Sequence, residues 1–524
     1  MRTFFLAIVL CIPSLRAEAQ YNMELLGNLP YVFDLSSLWG YTDTSGNPYA
    51  LVGTYTGFSI VDIQDPADPQ ELFFVPGALS AWREVKTWDQ HAYVTNENDG
   101  GLLIVDLSYL PDTIYTSWYT GADTLNPLRT AHTLWIDENG YCYLFGYNVL
   151  FGASEGAYIL DLNIDPASPV LVGELTGTYL HDGYVRGDTL WGAAIYEDQL
   201  QVYDVSDKSA PALIGVQITE GGATHNCWPD ATGNYVFTTD ESLIGYVSSF
   251  DASDPGDITL LDKIKHGDPD HTIPHNVIYK DGWLVTAHYT EGVCIFDAHK
   301  PENLVEVAHY DCSPYGPEAI FAGVWGVYPF FEDGTIIASD IEEGLMIFQP
   351  EYVRAAYLEG KITNAATGGN IFNAHIQVMG TEVEEFTNVL GEYKTGYAIP
   401  GFYDVEISVA GCVTETVENV LLESGETVTL NLALDCVTAV DDLTNSIGLT
   451  AYYNISAQEI LCTVNAQAGP VALQLCDVQG RIRYTGTTSS NGNLHIPTGS
   501  LPAGIYTVYP AGGEPQQAQK VMVF

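Results

Sequence analysis

Basic residues are scarce in this sequence. The 524-residue chain has 17 lysines and arginines against 67 aspartates and glutamates, which gives a formal net charge of −50. Such a surface repels phosphate backbones and anionic lipid, so nucleic acid is not expected as a partner. Acidic loops would instead attract divalent cations or basic ligands.

Several chemical motifs are also missing. The chain has no Cys-x-x-Cys, no His-Glu-x-x-His and no glycine-rich loop ending in Lys-Ser or Lys-Thr. Zinc-ribbon, thioredoxin-like, zinc-peptidase and P-loop chemistry therefore lack support. Gly152-Ala-Ser-Glu-Gly156 matches a serine-hydrolase pattern, but it lies in a loop that feeds a strand, whereas that chemistry needs a strand–turn–helix elbow.

The first 19 residues have the form of a secretory signal peptide. Arg2 precedes an apolar run from Phe4 to Leu15, and Ala17-Glu-Ala19 offers a cleavage site. This run is too short to cross a bilayer, and no later run approaches 18 apolar residues, so no transmembrane span is expected.

Removal of Cys11 with the signal peptide leaves eight of the nine cysteines. An even number in an exported protein permits disulfides. We expect two pairs, Cys412–Cys436 and Cys462–Cys476, because the members of each pair fall within one predicted domain. The pairing of the other four cannot be read from the sequence; they are Cys142, Cys227, Cys294 and Cys312.

One strand motif recurs seven times in the first two-thirds of the chain. The copies are Gly57-Phe-Ser-Ile-Val-Asp62, Gly101-Leu-Leu-Ile-Val-Asp106, Gly156-Ala-Tyr-Ile-Leu-Asp161, Gln199-Leu-Gln-Val-Tyr-Asp204, Tyr246-Val-Ser-Ser-Phe-Asp251, Gly292-Val-Cys-Ile-Phe-Asp297 and Gly344-Leu-Met-Ile-Phe-Gln349. Their closing positions are separated by 44, 55, 43, 47, 46 and 52 residues. This period is typical of a four-stranded propeller blade, so residues 20–352 are predicted to form a seven-bladed β-propeller. Each motif aspartate is expected to cap the turn that follows its strand.

The starts of the inner strands are the candidate functional positions. Aligning the repeats places them at Trp39, Trp82, His132, His181, His225, His275 and Trp325. Inner strands line the channel of a propeller, so four imidazoles could converge at one mouth. Imidazole with carboxylate suits zinc, iron, manganese or copper.

The candidate metal ligands are the four histidines, His132, His181, His225 and His275. Asp182, Asp240 and His288 are secondary candidates, and the loop from His266 to His271 adds more. Glu97 ends the second strand of its repeat, which returns to the same face. Histidines at these positions could equally serve packing, so a divalent metal ion at the mouth and a purely structural ring both stay open.

The repeats resemble the LVIVD repeats of secreted bacterial proteins in the group called choice-of-anchor B. Supporting segments are Leu38-Trp-Gly-Tyr-Thr-Asp43, Ala81-Trp-Arg-Glu-Val-Lys86, Tyr179-Leu-His-Asp182, His275-Asn276 and Gly323-Val-Trp-Gly-Val-Tyr-Pro329. The match covers about Tyr21 to Pro350. It implies a secreted propeller and little about chemistry.

Two further segments follow the propeller. Residues 353–436 alternate apolar and polar residues between turns, as in Ala374-His-Ile-Gln-Val378 and Pro400-Gly-Phe-Tyr-Asp-Val405. They predict a small β-sandwich and resemble the carboxypeptidase regulatory-like domain, the non-catalytic companion of a peptidase. Residues 437–446 are the expected linker.

Residues 447–524 predict a second small sandwich. The segments Asp477-Val-Gln-Gly-Arg481 and Leu501-Pro-Ala-Gly-Ile-Tyr506 resemble the C-terminal sorting domain of the type IX secretion system of Bacteroidetes. The resemblance implies that the type IX machinery is a partner. It also implies transport across the outer membrane, cleavage of the tail, and either release or attachment at the cell surface.

The sequence therefore predicts an all-β protein, with a seven-bladed β-propeller followed by two small β-sandwich domains. The expected function is binding of an extracellular ligand that the sequence does not identify; a protein and a glycan are the candidates. The alternative is a metal-dependent enzyme, a hydrolase or an oxidoreductase, built on the histidine ring.

Overall fold

The computed structural model describes residues 20–121, 123–152, 155–267, 271–315, 319–436, 448–454, 457–465, 470–489, 491–499, 501–511 and 518–523. The predicted signal peptide and linker lie outside these residues, as do Ser154, Asp268 and Asp270. None of the described residues belongs to a helix long and apolar enough to cross a membrane. The chain divides into two compact units, Met1–Asp435 and Cys436–Phe524.

Thirty strands are described between residues 20 and 350. They are β1 Met23–Leu29, β2 Leu35–Thr42, β3 Pro48–Thr54, β4 Gly57–Asp62, β5 Gln70–Pro76, β6 Val85–Trp88, β7 His91–Val94, β8 Leu102–Asp106, β9 Tyr115–Tyr119, β10 Leu128–Thr130, β11 Thr133–Ile136, β12 Tyr141–Phe145, β13 Asn148–Val149, β14 Ala157–Asp161, β15 Val170–Leu175, β16 Asp182–Arg186, β17 Thr189–Ala194, β18 Gln199–Asp204, β19 Ala212–Ile218, β20 Thr224–Pro229, β21 Tyr235–Asp240, β22 Val247–Asp251, β23 Thr259–Ile264, β24 Asn276–Lys280, β25 Trp283–Ala287, β26 Val293–Asp297, β27 Val305–Tyr310, β28 Val324–Tyr328, β29 Ile336–Asp340 and β30 Gly344–Pro350.

These strands form seven antiparallel four-stranded sheets among the described residues, apart from a short β10–β13 pair. In order, sheets 1 to 7 are β2-β3-β4-β5, β6-β7-β8-β9, β11-β12-β14-β15, β16-β17-β18-β19, β20-β21-β22-β23, β24-β25-β26-β27 and β28-β29-β30-β1. The recurring motif is the third strand of every sheet.

The sheets are arranged in a closed circle. The first strand of each sheet packs against the first strand of the next, from β2 through β6, β11, β16, β20, β24 and β28, and β28 packs against β2. Hydrophobic clusters fill the spaces between sheets; Ile159 of sheet 3, for example, packs with Val185 and Leu190 of sheet 4. An all-β chain of four-stranded sheets in this order fits a β-propeller.

The last sheet takes its outer strand from the start of the chain. β1 pairs antiparallel with β30, with Met23 opposite Pro350 and Leu29 opposite Leu345. The two ends of the ring are thereby hydrogen-bonded in one sheet.

The motif aspartates cap turns, as predicted. In each of the six copies that end in aspartate, Oδ1 accepts a hydrogen bond from the backbone N–H two residues later. The pairs are Asp62–Gln64, Asp106–Ser108, Asp161–Asn163, Asp204–Ser206, Asp251–Ser253 and Asp297–His299, at 2.8 to 3.0 Å.

Residues 353–435 form two more four-stranded sheets. Their strands are β31 Ala356–Asn364, β32 His375–Val378, β33 Glu384–Phe386, β34 Glu392–Tyr397, β35 Gly401–Ser408, β36 Glu415–Leu422, β37 Thr427–Thr429 and β38 Leu432–Leu434. β31 lies between β34 and the β37 and β38 segments, and the other sheet has the order β33-β32-β35-β36. Cys412 and Cys436 are both disulfide-bonded.

The unit Cys436–Phe524 has its own two sheets. The strands are β39 Gly448–Asn454, β40 Glu459–Asn465, β41 Val471–Cys476, β42 Ile482–Thr488, β43 Asn491–Pro497, β44 Gly504–Pro510 and β45 Gln519–Val523, in the orders β39-β40-β43 and β42-β41-β44-β45. Ile460, Leu473 and Val508 are among the buried residues of its hydrophobic core.

The structure does not form the predicted Cys462–Cys476 disulfide. Both residues are buried free cysteines. Cys462 lies on β40 and Cys476 on β41, in different sheets. The Sγ atom of Cys476 is instead 3.1 Å from the hydroxyl of Tyr509, on the strand that pairs with β41.

Candidate functional site

The four predicted histidines form a continuous row at one mouth of the channel. The imidazole centroids are 4.0 Å apart between His132 and His181, 4.1 Å between His181 and His225, and 4.3 Å between His225 and His275. Each histidine comes from the start of the inner strand in sheets 3 to 6, so the regular spacing of the sheets brings the rings together. All four are at most 8% exposed.

Hydrogen bonds to the next sheet fix the orientation of three of these rings. Nδ1 of His181 lies 3.1 Å from the carbonyl oxygen of His225, and Nδ1 of His225 lies 2.9 Å from that of His275. Nδ1 of His275 faces the carbonyl oxygen of Trp325 in the same way. A carbonyl oxygen only accepts, so each Nδ1 carries the proton and each Nε2 keeps its lone pair.

The first histidine has a carboxylate partner instead. Nδ1 of His132 lies 2.6 Å from Oε1 of Glu97. Glu97 lies three residues beyond Val94, the last residue of the second strand of sheet 2, and not at the strand end as the alignment predicted, but it reaches the histidine face. Because Nδ1 of His132 faces this carboxylate, Nε2 is the ring nitrogen that faces away from Glu97.

Glu241 forms a cluster with His225 and His275 at the mouth. Its carboxylate oxygens lie 3.8 Å from Nε2 of His225 and 3.9 Å from Nε2 of His275. Tyr289 donates its hydroxyl proton to Oε1 of Glu241 at 2.5 Å. Nε2 of His275 is buried and has no hydrogen-bond partner among the described residues. A buried acceptor of this kind costs about 1–3 kcal/mol unless something occupies the space beside it.

Burial sets the protonation of this cluster. Desolvation lowers the pKa of His275 to about 3 and lowers the pKa of His181 and His225 well below the usual value. Neighbouring imidazoles add to the effect, because two adjacent cations would repel each other. Burial raises the pKa of Glu241 above its usual value. Neutral imidazoles are the form that ligates a metal ion.

The geometry of His225, Glu241 and His275 suits one metal ion. The three ligand atoms all lie within 4.8 Å of one another. Donors that are each about 2.1 Å from a tetrahedral ion are about 3.4 Å apart. The nitrogen–oxygen separations are longer, at 3.8 Å from His225 to Oε2 and 3.9 Å from His275 to Oε1 of Glu241, so the two rings and the carboxylate must move closer together to bind an ion.

The secondary candidates lie outside this cluster. Asp182 accepts a hydrogen bond from Nδ2 of Asn226 at 2.7 Å, one level further into the channel. Oδ2 of Asp240 accepts from the backbone N–H of Gly221 at 3.0 Å, so it supports a loop. Burial raises the pKa of each of these carboxyls to about 6. His288 does not line the channel; its ring lies 6.5 Å from that of His266.

The alignment of the repeats assigned two of the tryptophans, Trp39 and Trp82, to the wrong position. Trp39 lies at the opposite end of the channel, with its ring 6.1 Å from Trp135. The irregular residues at the start of β2 are Ser36 and Ser37, which correspond to His225 and Trp325 at the irregular starts of β20 and β28. The alignment therefore placed Trp39 at least two residues too far along its strand. In sheet 2 the position before the inner strand belongs to Glu84, whereas Trp82 is half-exposed at the rim of the mouth, 6.5 Å from His132.

The channel narrows at the histidine end and widens at the other. The cavity beside the histidines has about 20 Å³, room for about one water molecule. The opposite mouth holds a cavity of about 380 Å³. Its aromatic lining comprises Trp39, Trp135, Tyr184, Trp228, Tyr279 and Phe330, with Arg186, Lys280 and Asp281 beside them.

The sequence alignment missed Glu241 and Tyr289. Glu241 directly follows Asp240, the last residue of β21, and Tyr289 lies two residues beyond Ala287, the last residue of β25. Glu241 and Tyr289, rather than the aligned Asp240 and His288, approach His275. An acidic residue directly after Asp240 was the available signal.

The fold and the histidine mouth define a propeller-like repeat protein. The model of the LVIVD repeat matches residues 44–75 and 194–219. Each match includes the third strand and most or all of the fourth strand of a sheet, in sheets 1 and 4. Two LVIVD repeats are consistent with a β-rich repeat protein. A search of the curated proteins finds no match to this chain.

Proposed function

We propose that this chain is an exported, seven-bladed propeller that binds one divalent transition-metal ion at its histidine mouth. The observation that carries this proposal is the convergence of His225 and His275 on the carboxylate of Glu241. Each Nε2 lies within 4 Å of that carboxylate, while each Nδ1 is held by a backbone carbonyl. Such an outer partner is usual for a metal-ligating histidine.

Two imidazoles and one carboxylate suit zinc, iron or manganese and leave coordination positions open. The adjoining cavity of about 20 Å³ admits water but no larger substrate. Binding is therefore proposed ahead of catalysis. A hydrolase or an oxidoreductase built on the same ion would need a larger opening at the rim, so that its substrate could reach the metal.

Metal analysis of the full chain tests this proposal. Protein stripped with a chelator and reloaded with Zn²⁺ should hold one equivalent more than the Glu241→Gln and His275→Gln variants do. His375→Gln is the matched control, because His375 also contacts a carboxylate, at 3.0 Å, but lies outside the ring. Equal zinc content in wild type and both variants would refute the site.

The opposite mouth supports a second candidate function, the binding of an acidic glycan. Trp135 is the centre of an aromatic cluster, with ring centroids 4.2 Å from Tyr184 and 4.9 Å from Trp228. Aromatic faces stack on sugar rings and bury apolar area without many rotatable bonds. Arg186 and Lys280, two of only 17 basic residues, line the same cavity, and they favour carboxylate or sulfate groups.

We also propose export by the type IX system, with residues 447–524 as the sorting domain and residues 353–436 as a carboxypeptidase regulatory-like sandwich. LVIVD repeat proteins are typically extracellular, and the separate compact unit Cys436–Phe524 suits a removable tail. Deleting residues 447–524 in a host with this system should retain the protein in the periplasm. Unchanged delivery to the surface or medium would refute the sorting role.

A further inference from the structure

Exposed apolar side chains are distributed unevenly between the two faces of the ring of sheets. The inner strands begin at the histidine mouth, so the second and fourth strands of each sheet end on that side. The loops on that side join strands two and three of a sheet, or one sheet to the next, and together they form the histidine face. Its described loops carry thirteen exposed large apolar residues, whereas the described loops of the opposite face carry two, Tyr109 and Ile164.

The exposed apolar residues of the histidine face surround the mouth. Six of them come from six different connections around the ring, and 55 to 92% of each side chain is exposed; they are Val32, Leu79, Phe151, Tyr196, Ile244 and Phe321. Large apolar side chains gain free energy when they leave water. A collection of them on one face therefore indicates a surface that a partner covers.

Aromatic contacts connect this apolar rim to the histidine site. The ring of Tyr196 lies 4.9 Å from that of Tyr179, which in turn lies 6.5 Å from the imidazole of His181. On the other side of the mouth, the ring of Phe321 lies 5.6 Å from that of Tyr289. The rim is thus continuous with the walls of the mouth, so a partner that buries the rim also covers the histidines.

The charge of the histidine face is negative. Exposed carboxylates lie beside the apolar residues, for example Asp34 next to Val32, Asp123 near Leu125, and Glu197 next to Tyr196. Three basic residues lie in the same described connections, and each is bonded within the protein: Arg83 to the carbonyl oxygen of Thr54, Arg129 to the carboxylate of Asp99 and Lys265 to the carbonyl oxygen of Leu243. The face therefore attracts positive charge.

We propose that the histidine face docks a partner protein through a segment in which lysine or arginine side chains flank apolar ones. The apolar side chains of this segment bury the rim, and its cations pair with the carboxylates between the rim residues. A bilayer is a poorer match, because surfaces that lie on membranes carry lysine and arginine beside their apolar residues. Docking goes beyond metal binding at the mouth and does not require it.

Peptide binding to the metal-free full chain tests this proposal separately from the metal site. The probe is a synthetic amphipathic helix of leucine and lysine, and a second peptide has glutamine in place of lysine. Fluorescence anisotropy should show that wild type binds the lysine peptide and binds the glutamine peptide more weakly by about tenfold or more, because the paired charges are lost.

Two pairs of substitutions locate the binding surface. Phe151→Ser combined with Tyr196→Ser should weaken binding of the lysine peptide by about tenfold or more, since two exposed apolar contacts are removed. Tyr109→Ser combined with Ile164→Ser is the matched control, because both residues are equally exposed but lie on the opposite face. The control pair should bind as wild type does.

A charge reversal tests the electrostatic part. Glu197→Lys should weaken binding by about threefold or more, whereas Asp188→Lys, at an exposed position at the other end of sheet 4, should have no effect. The inference is overturned if wild type does not bind the lysine peptide, or if the two pairs of serine variants bind it equally well. It is also overturned if wild type adsorbs to phosphatidylcholine vesicles and the Phe151 and Tyr196 substitutions abolish adsorption, since the face would then bind membrane.

Discussion

Nδ1 of His225 lies 2.9 Å from the carbonyl oxygen of His275, in the neighbouring sheet. The same relationship joins His181 to His225 and His275 to Trp325. These three imidazoles are therefore held by the backbone of the next sheet, whereas His132 is held by the side chain of Glu97. The row of rings is consequently as rigid as the circle of sheets that carries it.

Tyr289→Phe should weaken metal binding at the mouth by about 10–100-fold, because the Tyr289 hydroxyl orients the carboxylate of Glu241. The measurement is a competitive zinc titration of the full chain. Tyr147→Phe is the control; it removes a similar hydroxyl–carboxylate contact to Glu174, at 3.1 Å, in sheet 3. Equal zinc affinity in Tyr289→Phe and wild type would contradict the orienting role.

His275→Gln should reduce the loss of stability in acid. Burial lowers the pKa of His275 to about 3, whereas the unfolded chain takes up this proton near pH 6.5. Stability from the neutral imidazole is thus fully present above pH 6.5. It is lost by about 1.4 kcal/mol per pH unit as the pH falls towards 3.

Urea unfolding at pH 6.5, 5.5 and 4.5 measures this slope in wild type and variant. All nine tryptophans lie between residues 39 and 325, so their fluorescence reports only on the ring of sheets. Asp182 and Asp240, whose pKa values are raised to about 6, make the folded state more stable as the pH falls. Wild type and variant both contain these residues, so their effect cancels in the comparison. Parallel slopes in the two proteins would show that His275 is not held neutral.

Asp297→Ala should destabilise the protein more than the equivalent change at Asp251. Both carboxylates cap their turns, a contribution of about 1 kcal/mol. Asp297 also accepts from Nε of Arg354 at 3.1 Å and from the N–H of Ala355 at 2.8 Å. Loss of these contacts should cost about 1–3 kcal/mol beyond the cap, because the buried N–H of Ala355 is left without its acceptor, whereas Arg354 is partly solvent-exposed.

Unfolding monitored by fluorescence, with limited proteolysis near residue 354, compares the two variants. Asp297→Ala should also expose this segment to cleavage, because its attachment to sheet 6 is removed. Similar destabilisation and similar cleavage in both variants would mean that Asp297 does no more than cap its turn.

Trp228→Ala should weaken binding of dextran sulfate at the aromatic mouth by about 30-fold, the effect of losing a central contact worth about 2 kcal/mol. Fluorescence quenching measures the affinity, and uncharged dextran tests the need for anionic groups. Trp118→Ala, at a half-exposed outer-strand position, is the control. Binding that is unaffected by Trp228→Ala, or absent altogether with acidic polysaccharides, would remove this candidate.

The strands and their turns follow closely from the sequence, because each repeat carries local signals. The closing aspartates specify capped turns, and the buried motif strands specify the third position in each sheet. The pairing of β1 with β30 carries no such signal, since it depends on residues at the two ends of the ring. The free thiol of Cys462 was also missed, because spacing along the chain does not reveal which sheet a strand joins.

The histidine row could be predicted because it repeats with the sheets. Glu241 was missed, since the repeat directs attention to the preceding Asp240, whose carboxylate accepts a hydrogen bond from Gly221. Trp39 was misplaced because the alignment matched tryptophan to tryptophan, whereas the residues of β2 that correspond to His225 and Trp325 are Ser36 and Ser37. The repeat therefore predicts the features that all sheets share, such as the histidine row. It does not predict a residue that belongs to one loop, such as Glu241.

The pairing of Met23 with Pro350 has a consequence for the order in which the ring can form. Contacts so distant in sequence are slow to form, because a long stretch of chain must first be brought together. β1 is the first strand of the ring along the chain, and its partner β30 is the last. The first six sheets can therefore form while the chain is being synthesised, whereas β1 has no partner strand until residue 350 has been added.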